Sequence, residues 1–393
     1  MNDIDWYIDN KLTHQIHTSE RKAFRACRRR HNWVYNEFYY PRVTPEPLEM
    51  GVALHKGMEY YYNPDTWNDK EIAKNLALVA FRRSCEEQQK NYKRMHGELS
   101  NEKIEEYRAR IELGLNMLKY YFEEVAPQYD QGFTPIRVEV GFELPLMDPD
   151  TSMQIWCHCK QCEKRWSYKN KNEFHGLPVT YGGRLDMLAQ DDKGRYWIFD
   201  WKSTSRILDE DAESSFLQLD DQITSYCWAL WRLGIEVAGF VYVELKKTYP
   251  KPPEMLSRPY KGKMFSTNKT NLTNRKLFTS VVQTFDPEAY SEGLYDDYLN
   301  WLDAEGPKFT QRHQVHRNIH ELENAGDAIA YEAMDITQNP RIYPQPGRFS
   351  CTTCLFRQPC LGMNMNEDYK YTLETMFEVR KYHYWEEEEP STE

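Results

Sequence analysis

The stretch from Val179 to Ser203 constrains this chain more than any other. "VTYGGRLDMLAQ" and "RYWIFDWKS" each read as a strand, and "DDKG" between them is a turn signal. A hairpin through Asp192, Lys193 and Gly194 would bring Asp186 beside Asp200 and Lys202. Period two along a strand puts Asp200 and Lys202 on one face. Two carboxylates and an ammonium then converge at the end of an apolar strand, where burial requires compensating partners. Carboxylates are the hard ligands that Mg²⁺ prefers. An ion held there can activate water and polarise a phosphodiester. Lys202 can orient the attacking water or stabilise developing negative charge. The carbonyl of Trp201 lies between the two and could complete a metal shell. Alone, D…D-x-K is also a common pattern of exposed strands, so the surrounding segments have to decide.

Those segments predict one α/β core with a helical elaboration. Residues 19–39 read as a helix, as does the stretch around "EMGVALHKGMEYYY". Two long helices follow at 69–95 and 100–125, with Ile72, Leu76, Val79 and Phe81, then Ile104, Tyr107, Ile111 and Leu118, as their apolar positions. Pro127 is expected to end the second. "IRVEVGFELPL" alternates as a strand with Val138, Val140, Phe142 and Leu144 on one face. Residues 214–233 predict a helix, and "VAGFVYVEL" predicts a buried strand. Residues 246–276 read as an irregular loop, and 286–304 and 310–335 as helices. No internal repeat is evident.

Aromatic residues make up 14% and hydrophobic residues 40% of the 393, which excludes a disordered chain. No apolar run reaches the ~18 residues of a membrane span. The polar, acidic start "MNDIDWYIDNKLTHQ" is unlike a secretory leader and predicts a cytoplasmic protein of a bacterial cell or a phage-infected host. The net charge of −11 is unevenly spread. Residues 246–276 hold nine Lys or Arg against one acid, and residues 21–42 hold seven against one. In the first of these, Lys246, Lys247, Lys261 and Lys263 are interleaved with aromatics such as Tyr260. That combination suits phosphate neutralisation and base stacking, and equally a solvated loop. No G-x-x-x-x-G-K-[ST] motif is present, so the chain is not itself a helicase.

Two further motifs frame the hairpin. "MGVALHKG" places Gly51 four residues before His55. "QLDDQITSYCWAL" places Gln222 and Tyr226 on one helix face. In the order His, Asp, Asp-x-Lys, Gln-x-x-x-Tyr, these segments resemble the RecB-like nucleases of the PD-(D/E)XK superfamily. The resemblance implies a restriction-endonuclease-like central mixed sheet flanked by helices, with a large helical N-terminal elaboration. It implies a Mg²⁺- or Mn²⁺-dependent DNA nuclease, with His55, Asp186, Asp200 and Trp201 at the metal. Asp186, Asp200, Lys202, Gln222 and Tyr226 would form the catalytic group. Exonuclease action on DNA ends is expected, in recombination, repair or replication, with a helicase or recombination protein as a partner. The alternative is a non-catalytic nuclease-fold subunit that binds DNA.

Nine cysteines in such a chain point to core thiols, metal ligands or redox groups rather than to disulfides. Cys351, Cys354 and Cys360 are spaced for zinc or for redox chemistry, with a fourth ligand missing locally. The pattern of Cys27 before the core and these three after it resembles the AddB-type and CRISPR-adaptation nucleases, and this resemblance implies a [4Fe–4S] cluster. A second group, Cys157, Cys159 and Cys162, has His158 and His175 as candidate fourth ligands for Zn²⁺. A single domain is expected over 1–365: helices at 1–130, core at 131–250, basic loop at 246–276, and helices with the cysteine cluster at 284–365. A metal-binding insert is expected at 152–177, and an acidic tail at 366–393.

Overall fold

The apolar run around Ile198 forms the middle of a seven-stranded mixed sheet. It is seen in a computed structural model that describes residues 3–42, 46–169, 172–206, 208, 216–338 and 340–380. The strands are β1 (His14–Ile16), β2 (Tyr39–Pro41), β3 (Phe133–Pro145), β4 (Trp156–Cys157), β5 (Leu177–Asp191), β6 (Tyr196–Thr204), β7 (Val237–Lys246), β8 (Met255–Tyr260), β9 (Lys263–Phe265), β10 (Thr310–Val315) and β11 (Phe377–Val379). The main sheet runs β1-β5-β6-β7-β10, with β3 and β4 also on β5. β5 and β6 form the expected antiparallel hairpin. Asp191 holds its turn by accepting hydrogen bonds from the Lys193 and Arg195 amides. β7 runs parallel to β6 after a crossover through the helix Asp221–Arg232.

Helices cover both faces, as buried strands require. On one face, Leu185, Ile198 and Phe240 pack against Ile223 and Leu230 of the helix Asp221–Arg232 and Ile329 and Ala333 of the helix Ile319–Thr337. On the other, Met187, Phe199, Trp201 and Val243 pack against Leu54, Phe81 and Leu118. Those three residues come from the helices Glu46–Tyr61, Lys70–His96 and Asn101–Tyr120. Side chains of Asp69, Ser100 and Asp220 cap three of these helices. A smaller cluster joins Trp33 to Phe356, Leu373 and Phe377.

Several sequence-based expectations are corrected. The helix expected at 19–39 breaks at Cys27, whose backbone is extended, and continues as short turns Arg28–His31 and Asn32–Asn36. On Lys70–His96 the buried face is Ala73, Ala77, Phe81 and Cys85, while Ile72, Leu76 and Val79 are exposed. Small residues allow close approach to the helix Glu46–Tyr61, where a Cβ on Gly57 would stand 3.5 Å from the Ala77 carbonyl oxygen. Pro127 begins a further turn, Ala126–Tyr129, rather than ending the helical run. The helix expected at 214–233 is ordered as Asp221–Arg232, and 214–215 lie outside the described residues.

Residues 310–315 form a strand instead of a helix start. The basic segment contains the hairpin β8–β9, turned by Lys261 (φ 50°) and Gly262 (φ 77°). The fold also continues beyond residue 365. The helix Tyr369–Met376 leads into β11, which pairs with β2, and 381–393 lie outside the described residues. No described helix is long and apolar enough to cross a membrane.

Candidate active site

The site forms where β5 loses its partners. On one edge β1 pairs with Val179–Tyr181 and β6 pairs only from Met187 onward, Met187 facing Phe199. Gly182–Asp186 is left open between them. One step further, Asp186 would face Asp200, but the strands part there. The Asp186 carboxylate instead accepts the Trp201 amide at 3.0 Å. On the other edge Val138 pairs with Met187 and Val140 with Leu185, and Glu139 stands between them with φ 50°. This left-handed residue turns the strand. Val138 therefore enters one core and Val140 the other, not one shared face as the alternation predicts. Leu185 and Met187 likewise enter opposite cores. The sheet changes phase at Glu139 and Asp186, so both carboxylates are presented at the break.

His55 reaches the break from the helix Glu46–Tyr61, with Nδ1 3.1 Å from Asp186 Oδ1. Donor atoms of His55, Glu139 and Asp186 all lie within 4.8 Å of one another. Asp200 and Lys202 share a face of β6, and the Lys202 ammonium lies 2.7 and 2.6 Å from the two Asp200 oxygens. Gln222 extends Nε2 to 3.4 Å from Asp200. The Tyr226 ring packs where a side chain on Gly183 would sit, with Phe142 on the same spot, so this position needs glycine. Arg184, largely exposed, stands 3.7 Å from Glu139.

The electrostatics follow from crowding. Burial pushes Asp200 up to about 6, the Asp186 charge adds to this, and Lys202 opposes it. Burial acts upward on Asp186 too, but the charge and hydrogen bond of His55, with Lys202 and the Trp201 amide, hold it below the usual range. His55 is raised, because Asp186 outweighs its burial. Lys202 is raised, because Asp200 and Asp186 outweigh its burial. Glu139 is raised by burial and then by Asp186. Crowded carboxylates of this kind gain from a divalent cation. Asp200 Oδ2 is buried and touches Lys202 without the alignment of a hydrogen bond. This donor set of oxygens and one imidazole fits Mg²⁺ or Mn²⁺.

β6 is braced from behind. Trp201 stacks on Tyr62 at 4.9 Å and donates Nε1–H to the Tyr121 hydroxyl at 3.1 Å. Tyr62 and Tyr121 both donate to Asp130, which is ion-paired with Arg312 of β10.

Sequence reasoning missed Glu139. "VEVGFELP" carries two glutamates in one strand pattern, and regular alternation gives neither a special place. The Trp201 N–H is taken by the Asp186 carboxylate. Lys246 and Lys247 lie at the C-terminal end of β7 and just beyond, beside the end of β6. Tyr260, Lys261 and Lys263 belong to the separate β8–β9 hairpin.

Of the cysteines, Cys27 lies at the break before Arg29, whose guanidinium donates to Cys360 Sγ at 3.2 Å. Cys354 is raised by burial, with the charges of Cys27 and Cys351 contributing. These four are not among the described groups whose donors fit a single ion. Cys157, Cys159 and Cys162 do converge, but the fourth donor is His14 and not His175. The His175 carbonyl is instead engaged by His158 at 3.1 Å.

A protein-family model described as the PD-(D/E)XK nuclease superfamily matches residues 18–361. No curated protein matches the chain.

Proposed function

Since the chain belongs to the PD-(D/E)XK nuclease superfamily, we propose that it is a divalent-metal-dependent exonuclease acting on DNA ends in recombination, repair or replication. The observation that carries this reading is the convergence of His55, Glu139 and Asp186 next to the Asp200–Lys202 pair. His55, Glu139, Asp186 and Asp200, with the Trp201 carbonyl, would hold the ion. When bound, it supplies Lewis acidity at the phosphodiester and acidifies a water ligand. Lys202 holds its proton and presents positive charge where negative charge develops. Gln222 fixes Asp200, and the neutral Tyr226 closes the apolar side of the notch. Arg184, Lys246 and Lys247 offer positive charge for the phosphate backbone. Tyr260, Lys261 and Lys263 offer stacking and charge further out.

We also assign a [4Fe–4S] cluster to Cys27, Cys351, Cys354 and Cys360. A polynuclear cluster holds its thiolates further apart than one ion does. The Arg29–Cys360 contact and the Trp33–Phe356 packing bring the two segments to the same end of the molecule. Iron and acid-labile sulfide in anaerobically purified protein test this assignment, and colourless, iron-free protein removes it.

The catalytic reading is tested on end-labelled linear and closed circular DNA, single- and double-stranded, with Mg²⁺ or Mn²⁺. Linear DNA should be degraded and circles spared. Asp200→Ala and Lys202→Ala should each lower the rate at least about a hundredfold. Nicked circles would mean an endonuclease. DNA that is bound and never cut would mean an accessory DNA-binding subunit.

A further inference from the structure

We propose that His14, Cys157, Cys159 and Cys162 form a structural zinc site that clamps the N-terminal strand to the insert between β3 and β5. Their four donor atoms all lie within 4.8 Å of one another. Tetrahedral zinc with ligands at ~2.0–2.3 Å separates its donors by about 3.5–3.8 Å, so side-chain rotation alone closes the difference. One pair, His14 Nδ1 and Cys162 Sγ, stands at 3.2 Å.

Three of the four ligands sit on regular elements, and two of those elements are anchored on β5. His14 begins β1 and pairs with Val179. Cys157 ends β4 and pairs with Leu177, two residues away on the same strand. Cys162 lies in the first turn of the helix Lys160–Lys169, and its amide donates to Cys159 Sγ at 3.4 Å. An N–H aimed at sulfur favours the thiolate, the form that binds metal. Around this group, Arg165 donates to the Thr13 carbonyl and Lys169 to the Asn10 carbonyl. Tyr7 meets both Trp156 and Trp166. The shell outside the four donors thus ties the same two segments together.

The chemistry selects zinc. Cys157 and Cys162 are buried and Cys159 is half-buried. They line the edge of the hydrophobic core, yet their sulfur atoms also converge on one another and on an imidazole. A disulfide would satisfy two of the three and strand the third. Three thiolates and one imidazole at single-ion spacing are a closed Zn²⁺ set, with no position left for water or substrate. Binding releases the thiol protons to solvent. The tie spans 148 residues between His14 and Cys162, a long loop whose closure the unfolded chain lacks. This site is separate from the carboxylate notch and does not depend on the catalytic reading.

The test uses the full chain, prepared anaerobically under reducing conditions, with metal content measured by mass spectrometry. Wild type and Cys354→Ser should each hold one zinc that the double variant Cys159→Ser/Cys162→Ser has lost. His14→Cys should keep the zinc. Cobalt(II) exchange should give His14→Cys a shifted ligand-field spectrum, because sulfur replaces nitrogen, and this arm stands even if the double variant does not fold. Zinc-free wild type, zinc retained by the double variant, iron or a disulfide at these cysteines, or an unshifted cobalt spectrum would each overturn the proposal.

Discussion

Asp186 shows how a single position can organise a site. Its neighbours Leu185 and Met187 enter opposite cores, and its carboxylate takes the amide hydrogen that an unbroken ladder would send to a backbone oxygen. The spacing of Asp186, Asp200 and Lys202 was readable in the sequence because period two and a turn signal determine it. Glu139 was not readable, since its place depends on a left-handed backbone that no pattern of residue types announces. A pH prediction follows at this scale. Asp200, raised to about 6, and His55, also raised, must both be unprotonated to bind an ion. The His55 proton therefore competes already from above its ordinary 6.5 and that of Asp200 below about pH 6, so apparent Mn²⁺ affinity should fall about tenfold per pH unit through the first range and about a hundredfold below pH 6, one and then two protons per ion. Calorimetric titration between pH 5 and 8 measures this. Glu139→Gln should weaken binding at least about tenfold at every pH. Affinity that is flat below pH 6, or indifferent to Glu139, would remove these groups from the metal shell.

Among the elements, β10 was the hardest to foresee. Its buried positions are Gln311, His313 and Val315, so period two is present but carried by polar residues. Hydropathy therefore does not register it. Its Arg312 is ion-paired with Asp130, which is 1% exposed and accepts hydrogen bonds from Tyr62 and Tyr121. Asp130→Ala leaves that guanidinium and two hydroxyls without their acceptor. It should cost about 3–5 kcal/mol, read as a lowered urea midpoint. A loss under about 1 kcal/mol would mean that water replaces the carboxylate. The β8–β9 hairpin permits a second prediction. Lys261 lies in its turn and Lys263 just after it, and Tyr260 is exposed. If this hairpin contacts a single strand, Lys261→Ala with Lys263→Ala should flatten the slope of log affinity against log salt by about 1.4. An unchanged slope would place the DNA elsewhere.

At the scale of the whole molecule, the layering was legible and the joining of distant segments was not. Buried strands between helical patterns already imply two covered faces. The pairing of β11 with β2 has no local signature, because a three-residue strand shows no usable alternation. Trp33, 3% exposed, packs on Phe356 in the cluster that joins these regions. Trp33→Ala should cost about 3–5 kcal/mol locally and speed protease cleavage after Thr337 while the main sheet stays folded. Global unfolding in place of selective cleavage would show that this cluster is not a separable unit.

The Arg29–Cys360 contact also has a meaning in time. It spans 331 residues, so a ribosome working at 5–20 residues per second needs roughly 15–65 s to supply the second partner after the first. Through that interval Arg29 and Trp33 wait without the groups they finally meet. The Asp200–Lys202 strand emerges well before β10, whose Arg312 completes the brace behind it. An enzyme that cuts nucleic acid is thus put together last at the point where its two distant segments join, and the growing chain stays an incomplete blade until that late stretch has been made.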